Sequence, residues 1–477
     1  MHLDGHTSRG VKDPAVDILA LLGDHSTLTR MTQTRIEQAA DAADIEAYRA
    51  LRREAFVDEQ GLFDDHDLDR HDEDPRTVVL VARDPVGRVI GGVRLGPVPD
   101  GTDIGWWQGG RLVVAPGARV RNVGAALVRA ACARAEREGV LRFEASVQAR
   151  NEIFFTRLGW HRVRPITVAG TPHVLMRWPV DRIAQLTAAV KAPLGPLLAG
   201  LNPGGAGFIG DDGAPVPGTE VIAACDAIVP SMVERDPEWA GWCGVLVNMN
   251  DLSAMGAAPL GLLDALGAKD PAHAAKVLTG LRRASQAYGV PVLGGHTQLG
   301  VPAALSVTAL GRAARPVPGG GGRPGHALRL TADLGGAWRP GYRGRQWDST
   351  SHRTAADLRR MTGSVAAARP AAAKDVSMAG IAGTLGMLAE AGGCRAVLDV
   401  AAVPRPREAT MGDWLTCFPG YAMLTADDAD APPPPAGPAV GAVCGELTTG
   451  RGVGLRWPDG QITEAVAATV TGMGAAS

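Results

Sequence analysis

Two rhythms of apolar and polar positions run along this chain. Over Ile36–Phe56 the residues Ile36, Ala40, Ala43, Ile45, Tyr48, Leu51, Ala55 and Phe56 recur at helical spacing and predict a helix. Thr77–Arg83 and Val89–Leu95 read as strands, and Asp84-Pro85-Val86-Gly87 between them predicts a hairpin. Gly109–Ala115 predicts another strand. A helix then runs to about Glu138 with Leu127, Ala130, Ala131 and Ala135 on one side, followed by a strand at Leu141–Val147. Residues 181–200 read as a short helix and a Pro/Gly junction. Beyond it, Val221–Asp226, Val290–Leu293, Ala327–Leu334 and Cys394–Asp399 read as strands, Ala272–Tyr288 as a helix, and Lys374–Thr384 as the opening of a helix to Ala391. Short strands at 439–447, 452–457 and 465–471 finish the chain. The pattern divides the chain into a polar leader (1–35), a first domain (36–180), a linker (181–200) and two further halves (201–318 and 324–477), with Gly/Pro-rich Pro316–Gly325 joining the halves.

Composition narrows the class. A length of 477 residues suits two or three domains, and the net charge of −2 argues against a general nucleic-acid binder. The apolar runs are too short for a membrane span, and the N-terminus lacks the charge and apolar core of a signal peptide. Six scattered cysteines without Cys-x-x-Cys suit free thiols in a reducing cytoplasm. A soluble cytoplasmic protein is expected.

The densest chemistry lies in residues 210–259. Gly210-Asp211-Asp212-Gly213, the strand ending at Asp226, and Asn250-Asp251 each set a carboxylate where an apolar element meets a turn. Each alone is an ordinary turn or helix-face residue. Together they suggest an oxygen-only site for Mg²⁺ and a nucleotide's phosphates, because clustered carboxylates need a cation. With Asn250-Asp251-Leu252-Ser253-Ala254-Met255-Gly256-Ala257-Ala258-Pro259, this order resembles the AIR-synthase-like superfamily, whose members bind ATP with Mg²⁺. The resemblance spans roughly 190–477. It implies Asp211, Asp212, Asp226 and Asp251 as metal ligands, and Gly210, Asn250, Gly295, Thr297, Asp375 and Ser377 at the nucleotide. It also implies a homodimer. Relatives carry an acid where this chain has His296, which is open as a general base, a ligand or a loop residue. The arginines and aromatics of Trp338–Asp348 are read as a ligand contact in preference to a packed surface loop.

The first domain carries a second constellation. Arg121-x-x-Gly124-x-Ala126 sets a glycine and a small residue at a helix N-terminus, where outward N–H groups favour an anion. With Asn151–Trp160 and Phe56-Val57-x-Glu59-Gln60, it resembles the GNAT N-acetyltransferases. That resemblance implies an acetyl-CoA site at Val113, Val114, Arg119, Arg121, Val123, Gly124, Ala125, Ala126, Asn151 and Phe155. Phe154 and Phe155 stand where many GNAT enzymes use a tyrosine acid, and neither can donate a proton. Glu59 and Glu144 are candidate bases. The acidic run Asp64–Asp74 with His66 and His71 is read as a solvated loop. A metal site and an acidic mouth for an amine are the alternatives.

The expected architecture is α/β and α+β: a GNAT-like mixed sheet followed by an AIR-synthase-like unit of two α+β halves. The combination looks most like an uncharacterised family that accompanies nitrilases. The expected function is bifunctional, with acyl transfer from acetyl-CoA to an amine joined to ATP–Mg²⁺-dependent phosphorylation or activation of a small molecule. The rival is a ligand-binding or scaffold protein with a silent acetyltransferase half.

Overall fold

The computed structural model describes residues 34–99 and 101–476, so the leader expected over 1–35 lies outside them except for its last two residues. The chain forms two compact units. One takes in residues up to 99 with 108–134 and 144–177; the other takes in 100–107, 135–143 and 178 onward.

The first sheet has seven strands: β1 (Arg35–Gln38), β2 (Val78–Arg83), β3 (Val89–Pro97), β4 (Trp106–Val114), β5 (Arg142–Gln148), β6 (His161–Val168) and β7 (Thr171–Trp178), in the order β1-β2-β3-β4-β5-β7-β6. Helix α1 (Ala42–Arg53) begins later than its apolar rhythm suggests. The Asp41 carboxylate accepts the Asp44 N–H and caps the helix there, while Arg35–Gln38 pairs with β2 as β1. Helix α2 (Val123–Arg137) connects β4 to β5.

The second unit contains two larger sheets. One runs β11-β10-β12-β9-β8, from β8 (Ala214–Pro215), β9 (Val221–Ile228), β10 (Ala258–Ala268), β11 (Val292–Leu299) and β12 (Ala304–Arg312). Helices α3 (Pro237–Ala254) and α4 (Pro271–Tyr288) pack closely together. Their contact needs glycine, because a Cβ on Gly280 would overlap the Glu238 carbonyl and one on Gly241 the Val277 carbonyl. The other sheet holds β13 (Ala327–Ala332), β16 (Ala372–Asp375), β17 (Arg395–Asp399), β18 (Ala422–Asp427), β19 (Val440–Thr448), β20 (Val453–Arg456) and β21 (Ile462–Val466), ordered β16-β18-β13-β19-β17-β20-β21. A small ribbon pairs β14 (Ala337–Trp338) with β15 (Trp347–Asp348). Helix α5 (Gly380–Ala391) is buried along nearly its whole length, and the buried Glu390 accepts the N–H groups of Val470, Thr471 and Gly474. Among the described residues no helix is long and apolar enough to cross a membrane.

Two boundaries matter for chemistry. Gly294–Thr297, expected just after a strand, lies within β11. Lys374 and Asp375, expected at the head of a helix, end β16, and α5 begins only at Gly380.

Candidate functional site

In the second unit, β16 brings Lys374 and Asp375 to the Gly210–Gly213 turn. Lys374 Nζ donates to Asp212 Oδ1 at 3.0 Å, to Asp211 Oδ1 at 3.2 Å and to the Gly210 carbonyl at 3.1 Å. The Asp375 N–H donates to Asp212 Oδ2 at 3.0 Å. Asp251, near the end of α3, completes a group with Asp212 and Asp375 whose carboxylate oxygens lie within 4.8 Å of one another. Asp226 lies near enough for its charge to act on both Asp251 and Asp375.

Burial dominates the electrostatics. It pushes Asp251 and Asp375 well above the usual carboxylate range, and neighbouring carboxylates, Asp226 among them, add to the shift. Burial also raises Asp212, against the pull of Lys374, and it raises Asp226. Lys191, at the end of the helix Arg182–Val190, acts on both Asp226 and Asp375 as an opposing positive charge. The donor set is all oxygen, and two ligands across a Mg²⁺ at about 2.0–2.1 Å stand roughly 4 Å apart. The residues fit a hard divalent cation after a small closure.

The expected site residues separate. Asp212, Asp226 and Asp251 meet, with Asp375 as a fourth carboxylate. Asp211 stands apart: its Oδ2 accepts the Gly319 N–H at 2.6 Å and its Oδ1 accepts Lys374 and the Asp212 N–H, so protein donors already occupy both oxygens. Asn250 is committed to packing, its Nδ2 donating to the Gly420 carbonyl at 2.7 Å. Ser377 anchors its own turn through Thr384 and the Ala379 N–H. The Gly210 carbonyl is taken by Lys374.

His296 is on the wrong side of the sheet for a base at this cluster. Register aligns Asp226, Val307, Asp264 and Gly295 in one row, and Val307 is fully buried. Ala227, Ser306, Ala265 and His296 form the next row, and alternation turns them to the opposite face. Gly295 has a reason within the protein, because a Cβ there would overlap the Asp264 carboxylate. Thr297 shares the Gly295 face. The arginine–aromatic loop is largely a packing element. Arg339 pairs with Asp236 at 2.9 Å and lies over the Trp239 ring, and Trp347 is buried against Trp338 and Trp414.

In the first unit, β4 leads through Asn122, in the left-handed region at φ 62°, into α2. A Cβ on Gly124 would meet only ordinary contacts with Val114 and Phe154. Chain packing therefore does not require this glycine, and the first amides of α2 are left approachable. The side chains of Val113, Val123 and Ala125 are buried, so only their backbone can face a ligand. Val114 and Ala126 are half-buried and Asn151 is exposed; the side chain of Arg121 is outside the described atoms. Phe155 is a core residue, edge-on to Phe154 and Trp160 at 5.5 Å each, not a cofactor contact.

Neither candidate base is free. Arg119 holds Glu59 through two hydrogen bonds of 2.8 and 2.5 Å and keeps its carboxyl below the usual range. Glu144 is buried and accepts from Arg177 at 2.9 and 2.5 Å. The one tyrosine of the domain, Tyr48, is sealed inside, donates to the Arg111 carbonyl at 2.7 Å, and is pushed up by burial. The acidic run is solvated only in part, at Asp64, Asp65, His66 and Glu73 among others. Asp67, Asp69 and Asp72 pair with Arg52, Arg94 and Arg111 in a largely buried network.

Sequence reasoning missed Lys374, Lys191 and these arginines. Arg52 gave no signal of its own, since it stands beside Arg49 and Arg53 in the same helix. Lys374 had only its place beside Asp375.

Residues 210–313 match the family model "AIR synthase related protein, N-terminal domain", residues 349–432 match "AIR synthase related protein, C-terminal domain", and residues 44–160 match "Acetyltransferase (GNAT) family". The chain is 36% identical over 226 residues to an uncharacterized protein of Synechocystis sp., covering 45% of this chain and 69% of that one. It is 29% identical over 122 residues to a thiamine-monophosphate kinase of Archaeoglobus fulgidus, covering 24% of this chain and 40% of the relative. The solved structure of T. maritima PurL complexed with ATP is similar in fold, with a TM-score of 0.50 at 16% identity over 63% of this chain and 53% of that one.

Proposed function

Because this chain belongs to the AIR synthase related family and carries an acetyltransferase-family domain ahead of it, we infer that its second unit binds ATP with Mg²⁺ and activates or phosphorylates a small molecule. The observation that carries the reading is the group Asp212, Asp251 and Asp375, with Asp226 nearby, whose carboxylates outnumber the lysines that face them. Bound Mg²⁺ would supply charge neutralisation for phosphate oxygens. The chain's part is positional: Asp212, Asp251 and Asp375 hold the ion between β16, α3 and the Gly210 turn, and Lys191 offers a positive charge beside it. The name of the thiamine-monophosphate kinase relative supports phosphoryl transfer as the reaction class.

The first unit is read as an acetyl-CoA site at the first amides of α2, those of Gly124 and Ala125. Whether it transfers the acyl group is a separate matter. The sealed Tyr48, the two phenylalanines and the paired Glu59 and Glu144 favour a unit that binds acetyl-CoA and lacks the usual acid and base. Acetyl-CoA and ATP–Mg²⁺ are each expected to raise the melting temperature of the full chain. At a hundred times Kd the stabilisation is about 2.7 kcal/mol. A melt unmoved by ATP–Mg²⁺ would remove the kinase reading. CoA release with a panel of amines would remove the silent reading of the first unit.

A homodimer in the cytoplasm completes the reading. Strand β11 is a sheet edge with every residue exposed, Val292, Leu293 and Leu299 at 41, 56 and 49%. An apolar edge of that length invites a second strand. Analytical ultracentrifugation is expected to give a dimer, and Leu293→Lys a monomer; a monomeric parent chain at micromolar concentration would refute it.

A further inference from the structure

Resting on the reading of this pocket as a divalent-cation site, we propose that Lys374 is a built-in counter-cation. It takes Asp211 out of metal ligation and leaves the divalent ion to Asp212, Asp251 and Asp375.

The ammonium carries three protons and finds three acceptors, Gly210 O, Asp211 Oδ1 and Asp212 Oδ1, at 3.1, 3.2 and 3.0 Å. Its side chain is 1% exposed and that of Asp211 2%, so both partners have given up water for each other. Asp211 has a second anchor in the Gly319 N–H at 2.6 Å. Gly319 itself closes over the pair: a Cβ there would lie 2.7 Å from Asp211 Oδ1 and 2.9 Å from Lys374 Cε. A metal reaching Asp211 would have to displace donors on both oxygens within a space backbone already fills. Asp212 is different. Lys374 donates to its Oδ1 and the Asp375 N–H to its Oδ2, one donor to each oxygen, and the residue groups with Asp251 and Asp375 within 4.8 Å, a group that does not include Asp211.

A tethered ammonium is present at any metal concentration and loses little entropy in staying where it is. The Asp211 side of the pocket is therefore charge-balanced before any ion arrives, and the Gly210–Gly213 turn keeps its shape in the metal-free protein. The other carboxylates remain the part that metal must neutralise. Breaking a buried pair by deleting one partner leaves an uncompensated charge, and in Lys374→Met that charge becomes a new place for a cation.

The test counts Mn²⁺ bound to the full chain without nucleotide, from the electron paramagnetic resonance of the free ion. Asp211→Asn is expected to bind Mn²⁺ within about twofold of the parent, and Asp251→Asn at least tenfold more weakly, as loss of a ligand requires. Lys374→Met is expected to bind one additional Mn²⁺ per chain. If Asp211→Asn weakens Mn²⁺ as much as Asp251→Asn does, Lys374 does not withdraw Asp211 and the inference falls while the metal reading stands. A folded Lys374→Met that binds the parent's number of ions overturns it too. Should Lys374→Met fail to fold, the Asp211→Asn titration decides alone. A parent chain that takes up no Mn²⁺ removes the metal reading and this inference with it.

Discussion

Asp251→Asn is expected to raise the melting temperature of the metal-free protein and to abolish most of its stabilisation by Mg²⁺ and nucleotide. Both follow from one fact: the carboxylate is buried beside Asp226, Asp212 and Asp375. Without a cation, burial and like charge penalise the ionised form, so an amide of the same shape relieves the fold by about 0.5–2 kcal/mol, the usual range for removing such a functional strain. That corresponds to roughly 2–4 °C per kcal/mol in domains of about 150–250 residues. With the metal present the sign reverses, because a ligand has been lost. Losing a group that only orients a metal ligand costs about 10–100-fold in affinity, and losing a direct ligand should cost at least as much.

The pH dependence has a definite sign. The folded-state values of Asp251 and Asp375 lie above those of the unfolded chain, so between the two the native state binds more protons and stability falls as pH rises. The contribution is fully present below the ordinary carboxylate range and is lost as pH rises through the raised folded values. Saturating Mg²⁺ should remove this slope, and Asp251→Asn should reduce it. Melting curves across pH with and without Mg²⁺ measure all three. A metal-free Asp251→Asn that melts lower than the parent would mean that the carboxylate contributes a structural hydrogen bond instead.

These effects explain which parts of the site could be read in advance. Asp212, Asp226 and Asp251 were visible because each lies in or beside an apolar run, where a charged residue breaks the rhythm of burial, although β9 continues past Asp226 to Ile228 and α3 past Asp251 to Ala254. Helix α4 and strands β2 and β3 were visible for the same reason. Strand β11 was not seen at its full length, because its residues are exposed on both faces and Gly294-Gly295 carries no side-chain alternation. That omission moved His296 from the sheet's far face into an imagined loop beside the phosphates. Lys374 was invisible because a buried lysine is identified only by its partners, and Asp211 is 163 positions away. Asp64–Asp74 posed the same problem at shorter range. Composition shows six aspartates, one glutamate and two histidines, while Arg52, Arg94 and Arg111, which neutralise three of the aspartates, come from α1, β3 and β4.

That network carries the largest stability change expected of the first unit. Arg52 has no exposed side-chain surface and pairs with Asp67 at 2.7 Å and Asp72 at 2.6 Å, side chains that are themselves 5 and 7% exposed. Arg94 also holds Asp69 and Asp72, and Arg111 holds Asp67 and Asp69, so three guanidinium groups face three carboxylates. Arg52→Met keeps the volume and removes one charge, leaving a net negative charge that cannot reach water. Deleting one partner of a buried pair costs about 3–5 kcal/mol, and the remaining arginines put this case toward the lower end. Adding Asp67→Asn restores neutrality and should recover part of the loss, whereas independent surface charges would simply add. The pH signature runs opposite to that of the second unit. Burial raises Asp72, but Arg52 and Arg94 outweigh it and hold the carboxyl well below its usual range. Its contribution is present above the ordinary carboxylate value and is lost as pH falls toward the depressed one. In Arg52→Met, α1 and the segment to Asp74 should open in weaker acid than in the parent. Hydrogen exchange of peptides spanning 42–74, followed from neutral pH downward, measures it directly. Protection unchanged between parent and Arg52→Met would show that the aspartates stay hydrated and that the arginines hold no buried charge in check.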